Sequence, residues 1–146
     1  MRNAFEASYA RFMPDAYVRV RRQHLRTPDN IRKLLPETGV AETNGVPMGC
    51  IACDGAFVAE LCVDPASQHQ GVGRMLMQWA EDRLRIRKYG SISLHCYEAN
   101  KNALRFYRAL GFTVTDLFPS TNVPGGPVTV CLLQKVLPTP DMERVK

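Results

Sequence analysis

The segment from Val63 to Tyr97 limits what this chain can fold into more than any other part of the sequence. An apolar run ends at Val63, a turn passes through Pro65, and Gly71 and Gly73 lead directly into a segment of helical period over 72–88. There Val72, Met75, Leu76, Trp79, Ala80 and Leu84 share one face, while Arg85, Arg87 and Lys88 crowd the last turn, where positive charge suits the helix dipole. Gly90 is placed to take the left-handed closing position. Ile92, Leu94 and Cys96 then alternate with Ser91, Ser93, His95 and Tyr97, which predicts a strand over 91–97. Strand, helix and strand in close order require a crossover between two parallel strands, almost always right-handed.

The flanking sequence adds antiparallel strands and further helices. Asn44-Gly45 and Asp54-Gly55 separate short apolar runs, predicting a meander of 39–43, 46–53 and 56–63. Ahead of it, Pro14 opens a helix through Ala16, Tyr17, Val20 and His24, and Thr27-Pro28-Asp29 opens another from Ile31 to Leu35, which Pro36 closes. Beyond the crossover, Ala103, Phe106, Tyr107 and Leu110 share a helical face over 101–110, with Asn100 as cap and Gly111 as stop. Strands at 112–118 and 128–137 flank a Pro- and Gly-rich loop at 119–127. The expectation is an α/β fold whose mixed, mostly antiparallel sheet contains one central parallel pair and is flanked by helices. The 146 residues suit a single domain spanning 1–146, with a polar tail at 137–146.

Composition narrows the function classes. With 45% hydrophobic and 23% charged residues the chain has the balance of a soluble globular protein, with no apolar run of about 18 residues and no signal-type start. A cytoplasmic protein without a membrane partner is expected. Cys50, Cys53, Cys62, Cys96 and Cys131 are an odd number set in apolar runs, which reads as free thiols in a reducing compartment. Cys50 and Cys53, three apart on a strand, point to opposite faces, so no metal site is expected from them. The net charge of +5 fits an anionic ligand as well as it fits nucleic acid. The basic run at 18–26 fans around several helix faces like a solvated surface, and no nucleic-acid-binding motif accompanies it.

Gly71 and Gly73 carry the chemistry. Glycines between a strand and a helix let backbone N–H groups turn outward without a Cβ in the way, and the helix start adds partial positive charge, which together make a phosphate cradle. A Walker A loop fails here for want of its lysine and hydroxyl. A dinucleotide fingerprint fails because Leu76 stands where a third Gly or Ala is needed. On spacing alone, the lesser reading is that the glycines merely close a tight strand-to-helix turn.

Gln68-His69-Gln70-Gly71-Val72-Gly73 resembles the Q/R-x-x-G-x-G/A signature of the GNAT superfamily of N-acetyltransferases. Residues 99–112 are similar to the family's N-x-x-A-x-x-x-Y-x-x-x-G-F element through Asn100, Ala103, Tyr107, Gly111 and Phe112. The resemblance covers about residues 38–137 and implies acetyl-CoA as cosubstrate, held between strands 56–63 and 91–97 where they splay apart. It implies that Gln68 and His69 belong to the signature loop and that the amides of Gln70, Gly71, Val72, Gly73 and Arg74 hold the pyrophosphate. The backbone of Leu61, Cys62 and Val63 would pair with the pantetheine arm, Asn100 would contact that arm with Ala103 beside it, and Tyr107 would protonate the departing thiolate.

Two departures from the family pattern stand out. His69 and Gln70 occupy positions that are often basic, leaving Arg74 to supply the charge. The strand that usually precedes the first helix is not seen, so either the start is truncated relative to a full domain or the sheet has an exposed edge that a second copy could cover in a homodimer. Read without the motif, Tyr107 is an aromatic on an apolar helix face and therefore core. His95 is a candidate base or a histidine satisfied by its neighbours. Glu60 stands close to the implied thioester as a candidate general base, or serves as a salt-bridged strand carboxylate. The function that follows is direct transfer of an acetyl group from acetyl-CoA to a primary amine in a ternary complex. The alternative is a non-catalytic acyl-CoA-binding sensor or partner module of the same fold.

Overall fold

The computed structural model describes residues 38–120 and 127–138. Their six strands, β1 (Thr38–Thr43), β2 (Val46–Asp54), β3 (Phe57–Val63), β4 (Ser91–Tyr97), β5 (Thr113–Ser120) and β6 (Val128–Val136), form one sheet in the order β1-β2-β3-β4-β6-β5. Helix α1 (Val72–Ile86) joins β3 to β4, and α2 (Lys101–Ala109) joins β4 to β5. Only β3 and β4 are parallel, so the sheet is mixed and mostly antiparallel as expected. The helices expected near 14–24 and 28–35, the basic run, the start of the chain, most of the 119–127 loop and the tail beyond 138 lie outside the described residues.

Local chemistry accounts for the turns. Asn44 and Gly45 take φ of 52° and 78°, the paired left-handed values that a two-residue type I′ hairpin needs. In the next hairpin only Gly55 is left-handed, at φ 57°. Helix α1 ends earlier than the sequence predicts. Lys88, not Gly90, takes the left-handed position at φ 64°, and Tyr89 N–H reaches Leu84 C=O at 2.9 Å while Lys88 N–H reaches Arg85 C=O at 3.0 Å. That is a Schellman closure built on a lysine, the two carbonyl contacts offsetting the cost of a Cβ in the left-handed region. Gly90 instead accepts Leu137 N–H at 2.9 Å, and Leu137 is buried, so the packed chain continues past β6.

The core lies between one face of the sheet and the two helices. Leu76, Met77, Ala80 and Leu84 of α1 and Leu104 of α2 pack with Ile51, Val58, Ile92, Leu94 and Leu133. Fully burying such a side chain stabilises the fold by roughly 1.5–3 kcal/mol. Trp79 lies over Gly39, where a Cβ would meet its ring at 2.7 Å, so β1 approaches α1 only because residue 39 has no side chain. The buried Glu81 of α1 is anchored to β6 by Lys135, with Nζ 2.7 Å from Oε1.

One irregularity sets the geometry of the site. Ala52 pairs with Glu60 and Cys53 with Val58, leaving Ala59 as an extra residue on β3. The bulge reverses the alternation: Leu61 and Val63 turn toward the helices and pack on the core, while Glu60 and Cys62 turn to the opposite face.

Candidate active site

The parallel pairing of β3 and β4 consists of Phe57 with Ser93 and Val58 with Leu94, and it stops there. Strand β4 stays paired to β6 along its whole length, from Ser91 to Tyr97, so β3 is the strand that departs, beginning at the Ala59 bulge. A fork opens between Ala59–Val63 and the last residues of β4. Its β3 wall carries backbone with no β4 partner, as the splayed pair inferred from sequence requires.

The glycine loop lies at the mouth of the fork. Asp64 caps a single 3₁₀ turn at Pro65–Ser67 by accepting Ala66 N–H at 3.2 Å, and His69, at φ 62°, swings the chain toward α1. Gly71 is the N-cap of α1 at φ 83°, without a side-chain cap, and its carbonyl accepts Met75 N–H at 3.0 Å. The first-turn amides of Val72, Gly73 and Arg74 therefore precede the helical ladder and are available to an anion. The two glycines serve different needs. A Cβ on Gly71 would meet nothing within 4 Å, so its requirement is the positive φ; a Cβ on Gly73 would stand 3.1 Å from Phe106 Cζ, so its requirement is the approach of α2. Gln68 Nε2 donates to Val63 C=O at 3.3 Å and Gln70 Nε2 to Ala66 C=O at 3.4 Å, so both glutamine side chains brace the loop.

Helix α2 supplies the opposite wall. Asn100 Oδ1 accepts Ala103 N–H at 3.2 Å as the N-cap, which leaves its amide NH₂ for a ligand. At the other end Gly111, at φ 97°, closes a Schellman motif in which Phe112 N–H reaches Tyr107 C=O at 3.1 Å. The Tyr107 ring packs edge-on against Phe106 and Phe112, with centroids 5.1 and 5.8 Å away. Burial first, and then Cys96, Cys62 and Glu60 nearby, push the phenol above its ordinary range, so it holds its proton at neutral pH. Tyr107 thus reaches the fork from the helix side, and Glu60 and Cys62 face it from β3. Cys62 Sγ lies 3.8 Å from Glu60 Oε2.

Other candidates are not gathered here. His95 is held between the rings of Phe57 and Phe118, with centroids 4.9 and 5.2 Å away, and belongs to an aromatic row rather than to the Tyr107 group. Cys50 lies opposite Cys62 and Cys53 opposite Val58, so the two thiols occupy opposite faces. A cavity of about 430 Å³ between α2 and β5, lined by Lys101, Arg105, Arg108 and Leu117 among others, is separate from the fork. Sequence reasoning missed the bulge at Ala59 and the seat of Phe106 on Gly73. Two consecutive short apolar residues before a lone strand carboxylate, Val58-Ala59-Glu60, are the only hint of the first.

Fold and fork define a mixed α/β domain with an uncapped helix start at the end of a parallel strand pair. The chain belongs to the acetyltransferase (GNAT) family, whose sequence profile matches residues 1–112. It is 32% identical over 78 residues to the peptidyl-lysine N-acetyltransferase YiaC of Escherichia coli, covering 53% of this chain and 50% of that protein. It is 30% identical over 76 residues to the ribosomal protein bS18 alanine N-acetyltransferase of Escherichia coli, covering 49% of this chain and 51% of that one. The chain thus spans about half the length of these curated relatives. Among solved structures, YncA of Salmonella typhimurium with acetyl-CoA aligns at a TM-score of 0.62 and 27% identity, over 69% of this chain and 64% of that one. PaiA N-acetyltransferase of Thermoplasma acidophilum with coenzyme A aligns at 0.74 and 16% identity, over 92% and 87%. Among the described residues no helix is long and apolar enough to cross a membrane.

Proposed function

We propose that this chain transfers an acetyl group from acetyl-CoA to a primary amine by direct attack in a ternary complex. The observation that carries the reading is the fork at Ala59, with uncapped α1 amides at its mouth and a protonated Tyr107 in its wall. The amides of Gln70 through Arg74 receive the pyrophosphate, and the backbone of Leu61, Cys62 and Val63 pairs with the pantetheine arm, to which the Asn100 amide and Ala103 add the facing contact. The amine nitrogen attacks the thioester carbonyl, a backbone N–H near Cys62 or Val63 stabilises the oxyanion, and the C–S bond breaks. Tyr107 gives its proton to the departing sulfur, while Glu60, on the face away from the helices, takes the proton of the incoming amine directly or through water.

Relatives of similar identity are named for two amine types, a lysine side chain and an alanine N-terminus, so their names support a protein amine without choosing between them. Acetyl-CoA turnover against peptide N-termini, lysine peptides, aminoglycosides, polyamines and amino acids tests the reading. Binding of acetyl-CoA without turnover on any amine would favour a non-catalytic acyl-CoA module instead. The assembly proposed with this reading is a homodimer formed along a sheet edge. Strand β1 has β2 on one side only among the described residues and exposes Val40, with Val46 exposed beside it at the start of β2. A clean monomer in sedimentation at high concentration would remove that part of the reading.

A further inference from the structure

Two pairs of cysteines face each other across strands, Cys50 with Cys62 on β2 and β3, and Cys96 with Cys131 on β4 and β6. All four are free thiols. Directly opposed residues of an antiparallel pair have Cα atoms about 4.5–5.5 Å apart, inside the span that a disulfide bridges. The two pairs differ in surroundings. Cys96 and Cys131 are buried on the core face beneath the helices, whereas Cys50 and Cys62 are half-buried on the opposite face, within reach of solvent.

We propose that Cys50 and Cys62 form a redox modification site, closed by a peroxide into a reversible cross-strand disulfide, and that the closed form transfers acetyl groups more slowly. Three observations support it. The thiols are opposed by the register of β2 and β3. The Cys62 thiol opposite brings the Cys50 thiol down to about 7 against the effect of burial, while Cys62 itself is held well above its ordinary value. Cys50 is thus the more readily ionised of the two sulfurs and Cys62 the one that holds its proton. Burial pushes the thiols of Cys96 and Cys131 up, so that pair stays protonated and inert.

The reaction balances with hydrogen peroxide as oxidant. The Cys50 thiolate attacks one peroxide oxygen, an S–O bond forms, the O–O bond breaks, and the hydroxide released takes up a proton as water. The Cys62 sulfur, losing its proton, attacks the Cys50 sulfenic acid; the S–S bond forms, the S–O bond breaks, and a second water leaves. Two thiols are oxidised by two electrons and one peroxide is reduced to two waters. A thiol reductant reverses the step by exchange.

The consequence for turnover rests on the acetyl-transfer reading above; the bond itself does not. Cys62 Sγ now rests 3.8 Å from Glu60 Oε2, on the strand whose backbone is assigned to the pantetheine arm. Turning that sulfur to Cys50 removes its contact with Glu60 and adds a covalent link to the pairing with β2 that this limb of β3 already makes.

The test is peroxide treatment of the intact chain, followed by intact-mass measurement, thiol counting and peptide mapping without reduction. The expected result is loss of two hydrogens, a fall from five titratable thiols to three, and a cross-linked peptide pair carrying Cys50 and Cys62, all reversed by dithiothreitol. Acetyl transfer should fall with the same time course and recover on reduction. Cys50→Ser, which lies outside the acetyl-transfer machinery, should keep its activity through the same treatment. A bond at Cys96–Cys131, or no bond at all, overturns the site whether or not the chain proves to be an acetyltransferase. A Cys50–Cys62 bond with unchanged turnover overturns the regulatory half alone.

Discussion

Gly73 lies beneath Phe106, and a Cβ at position 73 would stand 3.1 Å from Phe106 Cζ and 3.8 Å from Val63 Cγ2. The start of α1, the end of β3 and the middle of α2 therefore meet at a residue without a side chain, and the amide cradle is held against the helix that carries Tyr107. A substitution at 73 pushes on this junction. One at 71 meets open space and costs only the backbone strain of a side chain at positive φ, about 1–2 kcal/mol.

The two glycines should thus separate in a thermal-shift experiment with coenzyme A. Gly73→Val is expected to abolish the shift, because both the cradle and the seat of Phe106 move. Gly71→Ala is expected to lower the melting temperature of the free chain while keeping part of the shift. If Gly73→Val binds coenzyme A like the parent, the cradle has been assigned wrongly.

Tyr107→Phe keeps the edge-on contacts with Phe106 and Phe112 and removes the proton. The expected result is a fall in kcat of roughly 10²–10⁴-fold with little change in the Kd for acetyl-CoA. The phenol's raised pKa gives a second readout. The folded chain holds this proton more tightly than the unfolded chain does, so the associated stability is complete below about pH 10 and is lost as pH rises beyond it. In an ultraviolet titration Tyr107 should therefore ionise above the ordinary phenol range, and the parent's kcat should show no alkaline loss below pH 10 from this group. An early phenolate that disappears in Tyr107→Phe would contradict the placement.

The helix expected over 72–88, the meander and the glycine start of α1 were legible in the sequence because each rests on residues close along the chain: an apolar face with helical spacing, the Asn44-Gly45 turn, and glycine at a helix start. The role expected of Tyr107 came from the family resemblance of Asn100, Ala103, Tyr107, Gly111 and Phe112, and the structure shows these positions as one helix with its cap, its left-handed stop and the ring that packs against Tyr107. The side of the sheet on which Glu60 lies was not legible. It depends on the extra residue at Ala59, and a bulge is defined by the pairing of two strands. Strict alternation from Val58 would have turned Glu60 toward the helices and left Leu61 and Val63 facing out. Closure of α1 at Lys88 was hidden for a related reason, since intrinsic preference favoured Gly90 while the hydrogen bonds to Leu84 and Arg85 decided the outcome.

The Glu81–Lys135 pair ties α1 to β6 behind the site. Glu81 is buried, and besides Lys135 its carboxylate has Arg85 at 3.9 Å. Lys135→Met leaves this charge poorly compensated and should cost up to about 3 kcal/mol in urea unfolding, below the full penalty for a broken buried pair because Lys135 is partly exposed. Adding Glu81→Leu should recover much of that loss. If the double variant is no more stable than the single one, the ion pair is not what holds these elements together.

Glu60 bears on the class of amine. Neutralising a lysine side chain of ordinary pKa at pH 7 costs about 4.6 kcal/mol, whereas an α-amino group needs only about 1 kcal/mol. The acceptor therefore decides how much base the site must supply. Among the described residues the fork presents one carboxylate, Glu60 from β3, while His95 is engaged with Phe57 and Phe118. A single carboxylate suits an amine of lowered basicity, which favours an N-terminal or small-molecule amine over a protein lysine. Glu60→Gln is then expected to lower kcat/KM modestly at pH 7, with much of the loss recovered toward pH 9 as solvent deprotonates the amine. A parent-like pH profile in Glu60→Gln would make Glu60 structural. Lysine peptides as the best substrates would mean that another group supplies the base.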